Sequence, residues 1–176
     1  MKTIKILKSV NRIISINEEI TEKTSKKVND LLMKYESDNI APILLHINTV
    51  GGSTIDAMSI MGVMKIINSP VYTYVSGKAF SAGAFLLASG DKGYRFANKG
   101  SKIMIHNAYT DVNLDNLEKD VKKKSDKYIN DSTNDIIDIL SSTTFQKKSF
   151  IKTRMEKETY FNAAEGLKYG FVDAII

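Results

Sequence analysis

The 176-residue chain contains no cysteine and no tryptophan, only two prolines and only two histidines. Without cysteine there are no disulfides and no thiolate metal sites, a composition compatible with a reducing compartment, and a cytoplasmic location is expected. The histidines, His46 and His106, stand alone, and no His-Glu-x-x-His occurs. Sequence therefore supplies no zinc site, and neither metal nor cofactor is expected. No run of 18 apolar residues is present, so no membrane span is expected. The basic segment Met1 to Val10 lacks the long apolar stretch and cleavage site of a secretory signal. Basic residues exceed acidic ones, 25 against 20. They are not gathered with stacking aromatics, however, and Lys122-Lys123-Lys124 is hemmed in by Glu118, Asp120 and Asp126. Nucleic acid is not an expected partner.

What the chain does have is 43% hydrophobic residues, enough for one domain over residues 1–176 with a sizeable core. No internal repeat, low-complexity segment or linker interrupts it. Pro42 and Pro70 each precede an apolar β-type run, as where a chain enters a strand from a turn. Lys2 to Leu7 and Arg12 to Ile16 read as short strands. Ile20 to Tyr35 and Ser53 to Ile67 read as amphipathic helices, with Ser53 as an N-cap. Val71 to Val75 reads as a strand, Ser76-Gly77 as a turn, and Ala82 to Ala88 as a helix closed by Ser89-Gly90. Strand and helix alternate, which predicts an α/β fold with right-handed crossovers and a largely parallel sheet. Asp111 to Leu140 differs. Leu114, Leu117, Val121, Tyr128 and Ile136 recur at helical spacing among many Lys, Asp and Asn. A helix this polar either projects into solvent or meets another subunit.

Chemistry concentrates at the carboxyl ends of the predicted strands, where such sheets gather their functional groups. Ser81 lies at a strand-to-helix junction, with Ala79 two residues before it and Gly83 two after. Small residues there permit a sharp turn that exposes a hydroxyl at a helix N-terminus, where free N–H groups favour developing negative charge. The pattern is looser than Gly-x-Ser-x-Gly. Upstream, Ile43 to Ser53 reads as a buried-type strand ending in the glycine pair Gly51-Gly52; downstream, Ser101 to Asn107 reads as a short strand ending in His106. A serine needs a base within reach, an acid to orient the base, and N–H donors for the oxyanion. The spacing of 25 residues from Ser81 to His106 suffices for a helix, a turn and a returning strand. His46, inside an apolar strand with no motif around it, reads as structural. The glycine pair lacks the Gly-Lys-Ser/Thr of a phosphate loop.

Four blocks in this order carry a resemblance: Gly77 to Gly90; Lys92-Gly93-Tyr94-Arg95-Phe96-Ala97; Met104-Ile105-His106; and Ala163 to Asp173. From about Ile40 to Ile176 the chain resembles the ClpP family of serine peptidases, within the ClpP/crotonase superfamily, and most resembles its phage or prophage branch. The resemblance implies repeated β-β-α units with a projecting handle helix, at about residues 111–142. It also implies Ser81 as nucleophile, His106 as base, and Glu158 as the acid where the family usually has aspartate. Glu156 is the fallback acid, and a Ser81–His106 dyad is the other alternative. By the same resemblance the oxyanion donors are the backbone N–H groups of Gly52 and Ala82, and Asp173 serves structure near the C-terminal strand. Thr49-Val50 replaces the family's Ser-Pro before the glycine pair, removing a stiff proline. The implied substrate is unfolded polypeptide, and the implied assembly is a homo-oligomer of stacked heptameric rings. A partner AAA+ unfoldase is less strongly implied, because the chain begins only a few residues before its first predicted strand. A catalytically silent ring subunit is the alternative function; Lys78 as a base and a crotonase-type acyl-CoA activity fit the blocks less well.

Overall fold

A computed structural model of the protein describes residues 2–109 and 119–176. Its element order is α1 (Lys2–Ser9), β1 (Ile13–Ile16), α2 (Glu22–Asp38), β2 (Ile43–Thr49), α3 (Thr54–Ile66), β3 (Val71–Phe80), α4 (Ala82–Ala88), β4 (Arg95–Ala97), β5 (Lys102–Ile105), α5 (Lys119–Thr144), α6 (Lys148–Glu156), β6 (Thr159–Asn162), α7 (Ala163–Lys168) and β7 (Ala174–Ile175). The sheet runs β1-β2-β3-β4-β7, with every pair parallel. This is the α/β architecture expected from the alternation of strand and helix. Among the described residues no helix is long and apolar enough to cross a membrane.

Strand β3 organises the end of the sheet that carries Ser81. Its first half pairs with β4, Thr73 to Val75 against Arg95 to Ala97. Its second half pairs with β5, Lys78 to Phe80 against Lys102 to Met104. Strand β6 then adds antiparallel to β5. The expected turn at Ser76-Gly77 is therefore corrected: β3 runs straight through it. Two contacts explain why. The Ser76 hydroxyl lies 2.7 Å from His46 Nε2, and a Cβ on Gly77 would fall 2.6 Å from Asn48 Oδ1. Glycine here admits the neighbouring strand rather than bending its own. The register of β2 against β3 shifts between Ile47 and Thr49, beside this point.

The N-terminal segment is also corrected. Lys2 to Leu7 is the start of helix α1, not a strand. Ile6 and Leu7 of α1, with Val10 just beyond its end, pack on Leu44, Tyr72 and Phe96, on one face of the sheet. Tertiary burial of that face overrides the local alternation of Lys and Ile. The main core includes Leu45, Ile47 and Val75 of the sheet, Val28 and Leu32 of α2, and Ile60 and Met64 of α3, together with all of α4 except Gly83. Ser53 caps α3 as expected, accepting the Asp56 N–H. The long helix is observed as α5, Lys119 to Thr144, while the expected positions Leu114 and Leu117 lie outside the described residues. Val121 and Tyr128 stand exposed on it, and Ile136, Ile137 and Leu140 are buried against the core.

Candidate active site

Ser81 sits where β3 ends and α4 begins, with φ 51° and ψ −122°. A non-glycine residue at positive φ is strained, and such strain persists only where the surroundings enforce it. Here they do. The Ser81 N–H donates to Met104 O of β5 (2.9 Å), and the Ser81 carbonyl accepts the Ala84 N–H (2.9 Å). Helix α4 is wholly buried, and a Cβ on Gly83 would fall 2.7 Å from Thr49 Cγ2. The sharp turn and small residues read from the sequence are thus present as a strained, packed elbow.

The glycine pair lies directly against it. Gly51 and Gly52 adopt φ of 102° and 139°, conformations that side chains rarely tolerate. A Cβ on Gly51 would lie 2.7 Å from Ser81 Cβ and 3.1 Å from Ala82 N. Thr49 takes over the stiffening that proline would have given. Its buried hydroxyl donates to Glu18 O (2.6 Å) and accepts the Gly51 N–H (3.0 Å). On the other side, Ile20 donates to Gly51 O (2.7 Å) and accepts from the Ser53 N–H (2.8 Å). Within this framework the Gly52 N–H donates to no other described residue. Ala82, as the first residue of its helix, has no carbonyl one turn earlier to bond.

His106 follows the end of β5 and is half-buried, its ring 5.2 Å from that of Tyr109. Burial pushes its pKa below the ordinary 6.5, while the Glu158 carboxylate pulls the other way. Glu158 stands between α6 and β6, exposed, with φ 44°. Its Oε1 accepts the Tyr160 hydroxyl at 3.0 Å. Ser81, His106, Glu158 and Gly52 all line one cleft of about 680 Å³. Tyr128, Ile129, Ser132 and Ile136 of α5 form its opposite wall. Among the described residues no hydrogen bond joins Ser81 to His106 or His106 to Glu158. Hydrogen bonds of this kind are often long before substrate binds.

The fallback acid, Glu156, is the last residue of α6 and does not line the cleft. His46 also lies elsewhere, between Ser15 and Ser76 and stacked on Tyr74. Asp173 is the partner of a buried arginine. Arg95 Nε and Nη2 grip its two oxygens at 2.9 and 2.7 Å, and Arg95 Nη1 donates to Ala88 O (3.0 Å) and Thr143 O (2.9 Å). This ties the last turns of α4 and α5 together. Sequence reasoning missed the Arg95 pairing, the Thr49 clamp and the hold of Tyr160 on Glu158. Only the last, two residues apart, had a local trace.

The family model described as Clp protease matches residues 2–176. The ATP-dependent Clp protease proteolytic subunit 2 of Prochlorococcus marinus (strain MIT 9313) is 32% identical over 169 residues, which is 95% of this chain and 83% of that relative. The chain belongs to the Clp protease family and is a peptidase of ClpP type.

Proposed function

We propose that the protein is a serine endopeptidase that cuts unfolded polypeptide at Ser81. The observation that carries this reading is the strained Ser81 elbow opening into the same cleft as His106, Glu158 and Gly52. In the mechanism it supports, neutral His106 takes the Ser81 proton as the hydroxyl attacks the scissile carbonyl. The resulting oxyanion accepts the N–H groups of Gly52 and Ala82, and His106 returns its proton to the leaving amine. Glu158 orients the imidazole and stabilises its charged form. Water then repeats the sequence on the acyl-enzyme. An extended peptide beside the active end of the sheet gives the backbone pairing that such substrates use. Stacked heptameric rings enclosing the sites, with substrate delivered by an AAA+ unfoldase or made available in phage head maturation, complete the reading.

One observation favours a second reading, a ring subunit that does not cut: Glu158 is held by Tyr160, and no hydrogen bond links the three side chains. Incubation with a disordered protein, followed by mass analysis of fragments, separates the two. The peptidase reading expects discrete fragments from the wild type and none from Ser81→Ala. An assembled wild type that leaves the protein intact would favour the silent subunit.

A further inference from the structure

We propose that Glu19 is a specificity-determining residue, and that it makes the cleft favour polypeptide with lysine or arginine beside the scissile bond. The proposal rests on the peptidase reading above. Basic residues outnumber acidic ones in the chain as a whole. The described walls of the cleft reverse that balance, with two carboxylates, Glu19 and Glu158, and no lysine or arginine.

The two carboxylates are not equivalent. Glu158 accepts the Tyr160 hydroxyl and faces the catalytic imidazole in the proposed mechanism. The Glu19 side chain makes no hydrogen bond or ion pair with another described residue. Its neighbour Glu18 is the acid that approaches a base, with Lys27 Nζ at 4.0 Å. The backbone of Glu19 is nevertheless fixed. Its carbonyl accepts the Thr24 hydroxyl (2.8 Å), and the next residue, Ile20, bridges the glycine loop on both sides. A Cβ on Gly52 would fall 2.9 Å from Glu19 Cγ. The stem of Glu19 therefore lies against the glycine assigned to the oxyanion. A scissile carbonyl held there brings one of its flanking side chains to the Glu19 carboxylate, since side chains of an extended peptide alternate in direction. A cationic side chain at that subsite gains a charge pair, and an acidic one meets repulsion.

The test uses internally quenched peptides of one neutral sequence, varied to lysine, norleucine or glutamate at each position flanking the cut. For the wild type, kcat/KM is expected to favour lysine over norleucine about three- to fivefold at one position, the size of an exposed charge pair. Glutamate there should be worse than norleucine. The ratio should shrink as salt is raised from about 0.05 to 0.5 M. Glu19→Gln should bring it to about one at that position alone, and Glu19→Lys should reverse it. A wild type indifferent to charge, or a Glu19→Gln enzyme that keeps the ratio, would overturn the proposal. Fluorophosphonate labelling run in parallel tells the two failures apart. Labelling at Ser81 with flat preferences removes the specificity assignment alone, whereas no labelling and no turnover removes the peptidase reading and this proposal with it.

Discussion

At the scale of single residues, the proposed chemistry depends on His106 being neutral when Ser81 attacks. Burial lowers its pKa from the ordinary 6.5, so the neutral form persists into mildly acidic solution. The acid limb of the kcat/KM profile should therefore lie below pH 6.5. Glu158 opposes that lowering, so removing its charge should move the limb further down. Glu158→Gln is expected to show a lower midpoint together with a lower plateau, the latter because the imidazole loses its orienting partner. A pH–rate profile of both proteins checks this. Tyr160 holds the same carboxylate from the other side. Tyr160→Phe frees it for His106 and is expected to raise the rate of fluorophosphonate labelling about two- to fivefold, the effect of one hydrogen bond. Gly52→Ala should act through the backbone. Its Cβ would collide with Ile20 O at a φ of 139°, so the loop must shift. A loss of about 100-fold in kcat is expected, the usual scale for a misplaced oxyanion donor.

At the scale of elements, the ion pair of Arg95 and Asp173 joins β4, the ends of α4 and α5, and the entry to β7. Burial pushes the Asp173 pKa up, but hydrogen bonds and charge from Arg95, with the Gly93 N–H, outweigh it and hold it down at about 2. Its ordinary value is 3.8. A depressed carboxylate contributes stability that is complete above the unfolded pKa and is lost as pH falls through the folded one. Unfolding free energy should thus drop between about pH 4 and pH 2, by on the order of 2 kcal/mol from this group. Asp173→Asn should flatten that slope, measured by urea unfolding at stepped pH. Arg95→Met, which removes the buried guanidinium and leaves the carboxylate only Lys92 and the backbone N–H groups of Gly93 and residue 95, should cost about 3 kcal/mol at neutral pH. None of this pairing was legible in the sequence, because the partners stand 78 residues apart with no local pattern to join them. The α4 elbow and the strand ending at His106 were legible, since each is a short apolar element with small or polar residues at its end. Lys2 to Leu7 was not, because its alternation of Lys and Ile mimics a strand and only packing on Tyr72 and Phe96 makes it a helix. Glu158 had no local signature of its own and stood out only through the resemblance of the blocks around it.

At the scale of the whole molecule, the single chain leaves large apolar side chains in solvent, among them Ile66 at 72% and Phe145 at 73% exposure, with Val121 and Tyr128 on α5. Apolar exposure of this extent suits a surface covered by other copies. The proposed assembly is two seven-membered rings of the 19.6 kDa chain, with α5 at the contact between them. Mass photometry should show that species, and Val121→Asp should shift it toward smaller ones. The central claim, an activated serine at the end of β3, has a more direct test. Intact-mass analysis after fluorophosphonate treatment should show a single adduct on the assembled wild type. It should map to Ser81, vanish in Ser81→Ala, and form much more slowly in His106→Ala. An adduct that persists in Ser81→Ala, or an assembled wild type that acquires none, would contradict the account.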